Sequence, residues 1–305
     1  VSWDCLLVED APKDKITHIY SGVVIAGNLS ALFAPISSIM VSKLTLVPAI
    51  RILYINAFVI MTLKLLILYK FSTETAMGKI RRELSRDISL VDMLSRYKGA
   101  LRKIIDSQGT LFAIIISVLV EIVNMIGATF WQIIVSRRIG VPDTLLPIFP
   151  MARSILSIVL FFTVISHIKQ TKLKWPLYGG FISSMLGSVL LISITNTGLW
   201  GYVVLSVSLL FDALGGAVLG TLRESLVAIH ADPEERSGIM ALLQTTVMLV
   251  SVPFGYIAGL LSDISRILPF VLSIIMLMLG IMVTALYYHR FPLHKKLKIE
   301  ESTEA

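Results

Sequence analysis

The sequence predicts an all-α polytopic membrane protein, and three observations support this prediction. Apolar runs of roughly 20 residues recur along the 305-residue chain, and each is long enough to cross a bilayer as a helix. Charged residues make up only 15% of the chain, against about 25% in soluble proteins. An internal repeat at an offset of 221 residues lies within the apolar sequence. Helices are expected rather than strands, because the runs do not alternate apolar and polar residues.

Eight apolar runs are predicted to span the membrane. Helices are the expected form because lipid offers no partners for backbone N–H and C=O groups, so each must be paired within the chain. The runs cover residues 18–41, 47–70, 110–135, 144–167, 175–195, 199–229, 237–261 and 267–289.

The repeat aligns two predicted helical hairpins without a gap. Each copy consists of a charged turn, a long helix, a short turn marked by proline and a second long helix. Internal repeats of this kind are typical of secondary transporters, in which two similar bundles move about a central site. The aligned pairs are Pro12 and Pro233, Lys15 and Arg236, Phe33 and Phe254, Ile36 and Ile257, and Pro48 and Pro269.

The basic residues predict how the spans are oriented. With the N-terminal segment inside, 18 lysines and arginines fall in the inner loops and 4 in the outer loops. The outer four are Lys43, Arg137, Arg138 and Arg266. Positive charge concentrates in cytoplasmic loops, so both ends of the chain are expected in the cytoplasm. The net charge of +7 is thus explained by orientation, and no nucleic-acid partner is expected.

Two segments outside the spans have a predicted character. Residues 71–109 form one long connection, in which aliphatic side chains among basic ones predict an amphipathic helix at the membrane surface. Residues 291–305 form a polar tail.

Cys5 is the only cysteine, so no disulfide within the chain is expected. Residues 2–11 align with the last turns of a long span, so the chain is expected to begin at the tail of a helix.

Three ionisable residues lie deep within predicted spans. Such a side chain at the bilayer centre costs about 3 kcal/mol or more, so each requires a reason. At 1.5 Å per residue, Glu121 lies roughly 17 Å from the inner face and Arg153 roughly 14 Å from the outer face. Asp212 is expected near the same plane. They would either meet at a functional site or form an inter-helix ion pair that only fixes the bundle.

Further polar residues accompany these charges. Asn124 and Gln132 follow Glu121 at helical spacing, with Ala128 between them, and form one polar or small face. Gln244 is the large polar member of a small-residue stripe on the 237–261 span. Three charged residues near the cytoplasmic ends, Arg223, Glu224 and Arg236, are predicted to form a gate or an inner ion network.

The sequence gives no indication of an enzyme. The five histidines, His18, His167, His230, His289 and His294, are scattered at span ends without metal-ligand spacing. The sequence also lacks a phosphate-binding glycine loop. No cofactor or metal is therefore expected.

The pattern resembles the major facilitator superfamily, whose members have two six-helix halves joined by a long cytoplasmic loop. The most specific local similarity is at Leu222–Ser225 and Ala231–Gly238, which resemble the turn between the family's tenth and eleventh helices. Phe254–Gly259 resembles the outer half of the eleventh helix. The family's glycine- and arginine-rich loop between helices two and three falls in the missing part, and its usual counterpart between helices eight and nine is reduced here to residues 167–174.

The resemblance implies a domain organisation that corresponds to helices five to twelve of the family. Residues 1–70 would contain the end of the fourth helix and two spans of an incomplete N-terminal bundle. Residues 71–109 would be the central loop, 110–290 a complete six-helix bundle, and 291–305 the cytoplasmic tail.

The resemblance also implies a function. The chain would move a small solute across the plasma membrane by alternating access, coupled to protons, and would be monomeric if completed by the missing helices. Glu121, Arg153 and Asp212 would face the central cavity, with Arg153 holding a carboxylate or an anionic substrate group. The alternative is a truncated membrane remnant that does not transport, or an interaction protein.

Overall fold

The computed structural model describes residues 26–27, 29–30, 33–72, 108–142, 145–146, 148–164, 173–195, 198–230 and 236–290. These residues are almost entirely helical and contain no strand. Six of their helices are long and apolar enough to cross a membrane, which fits a multi-pass membrane protein. Nearly half of the predicted span 18–41, nearly all of the connection 71–109 and the whole tail 291–305 lie outside the described residues.

The chain divides into two compact units. The first comprises residues 1–100 and 142–158, and the second comprises residues 101–141 and 159–305. Residues 142–158 therefore group with the first unit, and the predicted six-helix bundle 110–290 stays a prediction.

The first unit contains a hairpin of two helices, α1 (Ala34–Leu44) and α2 (Leu46–Phe71). They are separated by Thr45 alone, whose backbone has a positive φ of 66°. Pro48 lies in the first turn of α2, where its missing N–H costs no helical hydrogen bond. The hairpin confirms the predicted turn marked by proline. Most side chains of α2 are apolar and exposed, which suits a helix surrounded by lipid.

Helix α4 (Ile148–Thr163) belongs mostly to the first unit. Its 16 residues correspond to ~24 Å, which is shorter than the ~30 Å hydrocarbon core. The predicted span 144–167 is thus described as a shorter apolar helix.

The second unit contains five long helices. They are α3 (Gln108–Ile134), α5 (Lys174–Ser193), α6 (Leu199–His230), α7 (Arg236–Ile264) and α8 (Leu268–Arg290). Helix α3 continues as a π-helical turn over Val135–Ile139, which ends at Gly140 in the left-handed conformation. Helices α7 and α8 are joined by three residues, and Pro269 lies in the first turn of α8, as the repeat predicted.

Helix α3 lies at the centre of the second unit and packs against α6, α7 and α8. One side of α3 contributes Phe112, Ile116 and Val120 to a cluster that includes Phe181 of α5 and Leu222 of α6. The other side contributes Leu119, Ile122 and Ile126 to a cluster that includes Ala258 of α7 and Met276 of α8. Glu121, Asn124 and Gln132 lie on the face of α3 that these clusters leave uncovered.

Helices α5 and α6 are in backbone contact. A Cβ atom on Gly187 would lie 2.9 Å from the backbone nitrogen of Asp212 and 3.0 Å from the carbonyl oxygen of Ser208. Two serine hydroxyls cross the contact, with Ser183 Oγ donating to the Phe211 carbonyl at 2.7 Å and Ser208 Oγ donating to the Gly187 carbonyl at 2.7 Å. Small residues allow such close approach between membrane helices.

Candidate functional site

The second unit holds an ion pair between α3 and α6. Arg223 Nη1 lies 2.6 Å from Glu121 Oε2, and it donates a charge-assisted hydrogen bond to this oxygen. The Arg223 side chain is 22% exposed and that of Glu121 is 38% exposed. Both side chains of the pair are therefore partly buried and partly exposed.

Packing of the two helices positions these side chains. Glu121 lies between Val120, which is buried in one core cluster, and Ile122, which is buried in the other. Arg223 lies one turn after Leu219 and one turn before Leu226, two buried residues on the same face of α6. Arg223 thus extends from the face that α6 turns towards the bundle. At this depth the two opposite charges reduce each other's cost of leaving water.

The pair joins two groups of residues that the sequence analysis kept apart. Glu121 is predicted to take part in substrate binding or proton coupling, whereas Arg223 is predicted to belong to a cytoplasmic gate or an inner ion network. Helix α6 ends at His230, so Arg223 lies two turns before the end of the helix. One partner of Arg223 is Glu121, and this ion pair therefore connects the two predicted groups.

The polar stripe of α3 consists of Glu121, Asn124, Ala128 and Gln132. Asn124, Ala128 and Gln132 are exposed, and Glu121 is at the border between partly buried and exposed. The predicted polar face is therefore an accessible surface of the helix. Gln244 of α7 is exposed as well.

Asp212 belongs to a different place in the second unit. It lines a cavity of about 20 Å³ between α3, α5, α6 and α8, which we name the Asp212 cavity. Such a volume accommodates one water-sized group, whereas pockets for drug-sized ligands span roughly 300–1,000 Å³. The cavity is lined by Val123, Gly127, Trp131, Gly187, Ser188, Leu191, Ser208, Asp212, Phe270 and Ser273.

The two carboxylates are far apart along the bundle. Helices α3 and α6 run antiparallel, because Glu121 meets Arg223 whereas Gly127 and Trp131 meet Ser208 and Asp212. The stretch of α6 from Asp212 to Arg223 is ~16 Å long. The structure thus separates Glu121 and Asp212, which the sequence placed at one depth. The predicted depths were counted in residues from assumed helix ends, and they therefore depend on where each helix begins.

The remaining predicted residues are distributed as follows. Arg153 lies on α4 in the first unit and is partly buried. Arg236 is the first residue of α7, and Glu224 follows Arg223 on α6. The side chains of Glu224 and Arg236 lie outside the described part of the structure.

Sequence reasoning missed the serines of the Asp212 cavity. Ser208, Ser273 and Ser188 are 2%, 3% and 9% exposed. The spacing of Ser208 and Asp212, one turn apart on α6, is the signal that was available. Over the described ranges, no three His, Cys, Asp or Glu side chains lie close enough together to hold a metal ion.

No protein-family model matches this chain, and no curated protein matches it with significant sequence similarity.

Proposed function

We propose that this chain works as a secondary active transporter of the major facilitator type, which moves a small solute across the plasma membrane. In this proposal the fold has eight spans and both ends lie in the cytoplasm. Transport proceeds by alternating access and is coupled to protons.

The polar stripe that ends at the Glu121–Arg223 pair is the observation that supports this proposal. An apolar membrane bundle that exposes Asn124 and Gln132 beside an ion pair requires a surrounding other than lipid tails. Polar residues at membrane depth normally face the bundle interior or a water-filled cavity. The stripe therefore fits the wall of a solute pathway.

The ion pair supplies a way to couple protons to solute movement. A proton on Glu121 removes the negative charge that holds Arg223, and the guanidinium then becomes available to an anionic or polar group of the solute. The two halves of the transporter would favour different orientations in these two states. Coupling requires this difference, because a ligand shifts an equilibrium only by its differential affinity for the two states.

The proposal is tested with the full chain in proteoliposomes that contain a pH-sensitive dye. Solutes from several chemical classes are first screened for thermal stabilisation of the purified protein, and those that stabilise it are tested for proton movement and for solute counterflow. We expect at least one solute to move protons with it. Failure of every stabilising solute to exceed protein-free liposomes in both assays would contradict a transport function.

Glu121→Gln separates coupling from solute binding. We expect this variant to lose proton-coupled flux and to retain solute exchange, since exchange requires no net change of protonation. Asp263→Asn is the matched control, because Asp263 is an exposed carboxylate near the end of α7. Normal proton-coupled flux in Glu121→Gln would remove Glu121 from the mechanism.

A further inference from the structure

One end of helices α5 and α8 carries basic and aromatic side chains that the proposed solute pathway does not use. Helix α5 begins at Lys174, and α8 ends at Arg290. The two helices pack against each other, and the Lys174 Nζ atom lies 6.0 Å from the centre of the Tyr288 ring. The start of α5 and the end of α8 therefore lie side by side, at the same end of the second unit.

Aromatic side chains at this end mark the level of a membrane surface. Tyr287 stacks on Phe112 of α3 with ring centres 4.0 Å apart, and Tyr288 packs edge-on against Tyr287. Trp175 is exposed in the first turn of α5, and the Lys174 Nζ atom lies 5.8 Å from the centre of its ring. Tyrosine and tryptophan are enriched at the headgroup level of a bilayer. The Trp175 and Tyr288 rings therefore hold the Lys174 ammonium group at this level by cation–π attraction.

A row of exposed apolar side chains on α8 leads to a second basic residue. Met278, Met282 and Leu286 are exposed at a spacing of four residues. Arg290 follows at the same spacing and is exposed as well. Residues four apart form a ridge on a helix surface. This ridge rises ~18 Å from Met278 to Arg290, whereas one leaflet supplies about half of the ~30 Å hydrocarbon core. The ridge thus matches one lipid molecule, with apolar contacts along an acyl chain and a cation at the headgroup.

The sequence next to these two helix ends is also basic. Neither residues 144–211 nor residues 264–299 contain an aspartate or a glutamate. The acidic residues of the connection 231–235 follow α6 instead. Lysines flank the two helix ends in the sequence, namely Lys169 and Lys172 before α5 and Lys295, Lys296 and Lys298 after α8. Charge complementarity therefore requires an anionic partner.

We propose that this end of α5 and α8 binds anionic phospholipid in preference to zwitterionic phospholipid. We name it the basic rim, and it comprises Lys174, Trp175, Tyr288 and Arg290. Tyr288 and Arg290 are two residues apart and point to opposite sides of α8, so Lys174 and Arg290 contact the phosphates of separate lipids. The acyl chain of the lipid at Arg290 lies along the ridge.

The net charge of the headgroup decides which lipid is preferred. Each lysine or arginine near an anionic membrane surface strengthens the attraction about fivefold. A zwitterionic headgroup carries its own cation, which cancels most of this attraction. Anionic phospholipid should therefore accumulate next to the basic rim even where it is a minor component of the bilayer.

This lipid site goes beyond the proposed transport function and does not depend on it. The basic rim attracts anionic headgroups whether or not a solute moves through the protein. Lipid binding is therefore measured at equilibrium, without a solute or a gradient, so that its outcome is independent of the flux experiments.

The experiment places the purified full chain in phosphatidylcholine nanodiscs that contain a small fraction of brominated lipid. Bromine on an acyl chain quenches nearby tryptophan fluorescence, and exposed Trp175 is the reporter. We expect brominated phosphatidylglycerol to associate about fivefold more tightly than brominated phosphatidylcholine of the same chain length. The preference should fall as salt is added. Trp175→Phe should remove most of the difference in quenching, which assigns the difference to the basic rim.

Variants test the two cations. We expect Lys174→Gln and Arg290→Gln each to lower the preference for phosphatidylglycerol about threefold to fivefold, and the double variant to abolish it. Arg137→Gln is the matched control, because Arg137 is exposed after the other end of α3 from Phe112. It should keep the full preference. Thermal unfolding in neutral detergent with added lipid detects the lipid at Arg290, where Trp175 is a less direct reporter.

Three outcomes would overturn the proposal. The first is equal association of the two brominated lipids. The second is an unchanged preference in the double variant, or in both single variants if the double variant does not fold. The third is equal thermal stabilisation by soluble glycerol phosphate, which has the phosphate but no acyl chain and would assign the basic rim to a free phosphate group.

Discussion

Arg223 on α6 and Glu121 on α3 are 102 positions apart in the sequence, and their side chains meet at 2.6 Å. The contact joins the central helix of the second unit to its longest helix. It is placed where α6 is still packed on its neighbours, since Leu222 and Leu226 beside it are almost fully buried. The pair therefore contributes both to the packing of the bundle and to the charge balance of the polar stripe.

The first prediction concerns the strength of this pair. We expect Glu121→Gln and Arg223→Gln each to lower Tm, because either change removes this ion pair from the bundle. The double variant should lose less than the sum of the two, with a coupling energy of about 1–3 kcal/mol. Thermal unfolding in detergent measures all three variants. Strictly additive effects would mean that the two side chains do not interact in solution.

The second prediction concerns the surroundings of the polar stripe. After Cys5→Ser, which removes the only cysteine, single cysteines are introduced by Asn124→Cys, Gln132→Cys and Met278→Cys. We expect a charged maleimide to label the first two rapidly in membranes, because the thiol reacts as a thiolate in contact with water. Met278 is 57% exposed on the apolar helix α8, so its substitution should react slowly in lipid.

The labelling rates distinguish a water-filled pathway from a lipid-facing surface. Both kinds of surface are exposed when the protein is considered without its membrane. Ile126→Cys serves as the buried control, since Ile126 is 0% exposed. Equal, slow labelling of Asn124→Cys and Met278→Cys would place the stripe against lipid or another protein surface. The proposed pathway would then lose its support.

Several of the helices could be predicted from the sequence with small errors at their ends. The predicted spans 47–70, 199–229 and 267–289 correspond to helices at Leu46–Phe71, Leu199–His230 and Leu268–Arg290. The reason is that the hydrocarbon thickness fixes the length of an apolar helix, and this length can be counted in residues. Proline near Thr45 and Ile267 also marked the two hairpin turns correctly.

Partners across the bundle could not be predicted in the same way. Counting residues from a helix end gives depth, but the side on which a residue lies depends on which neighbours the helix packs against. Leu219, Leu222 and Leu226 are all buried and lie on one face of α6. The burial of this face, which directs Arg223 towards Glu121, appears only in the packed structure. The serines of the Asp212 cavity were missed for the same reason.

The third prediction concerns the end of α5. Arg138 Nη1 donates to the Ile192 carbonyl at 3.0 Å, in the last turn of α5, where carbonyl groups lack helical partners. We expect Arg138→Met to destabilise the protein by roughly 1 kcal/mol, because both the hydrogen bond and the favourable charge at the helix C-terminus are lost. Arg137→Met is the control, since Arg137 is adjacent and exposed. Equal Tm values for the two variants would contradict a capping role.

The fourth prediction concerns the backbone contact between α5 and α6. In Gly187→Ala the new Cβ would lie 2.9 Å from the Asp212 nitrogen and 3.0 Å from the Ser208 carbonyl oxygen, which are backbone atoms and cannot turn aside. The two helices must therefore separate, at a cost of about 1–3 kcal/mol that lowers Tm.

Gly179→Ala provides the matched control for Gly187→Ala. Gly179 lies two turns earlier on the same helix, and a Cβ there would meet no heavy atom within 4 Å. Replacing a helical glycine by alanine in open space stabilises a helix by roughly 0.5–1 kcal/mol, so Tm should stay constant or rise. The same substitution should therefore lower Tm at Gly187 and leave it unchanged or raise it at Gly179. This difference separates the effect of the helix contact from that of helical propensity. A rise in Tm for both variants would show that α5 and α6 do not touch at Gly187.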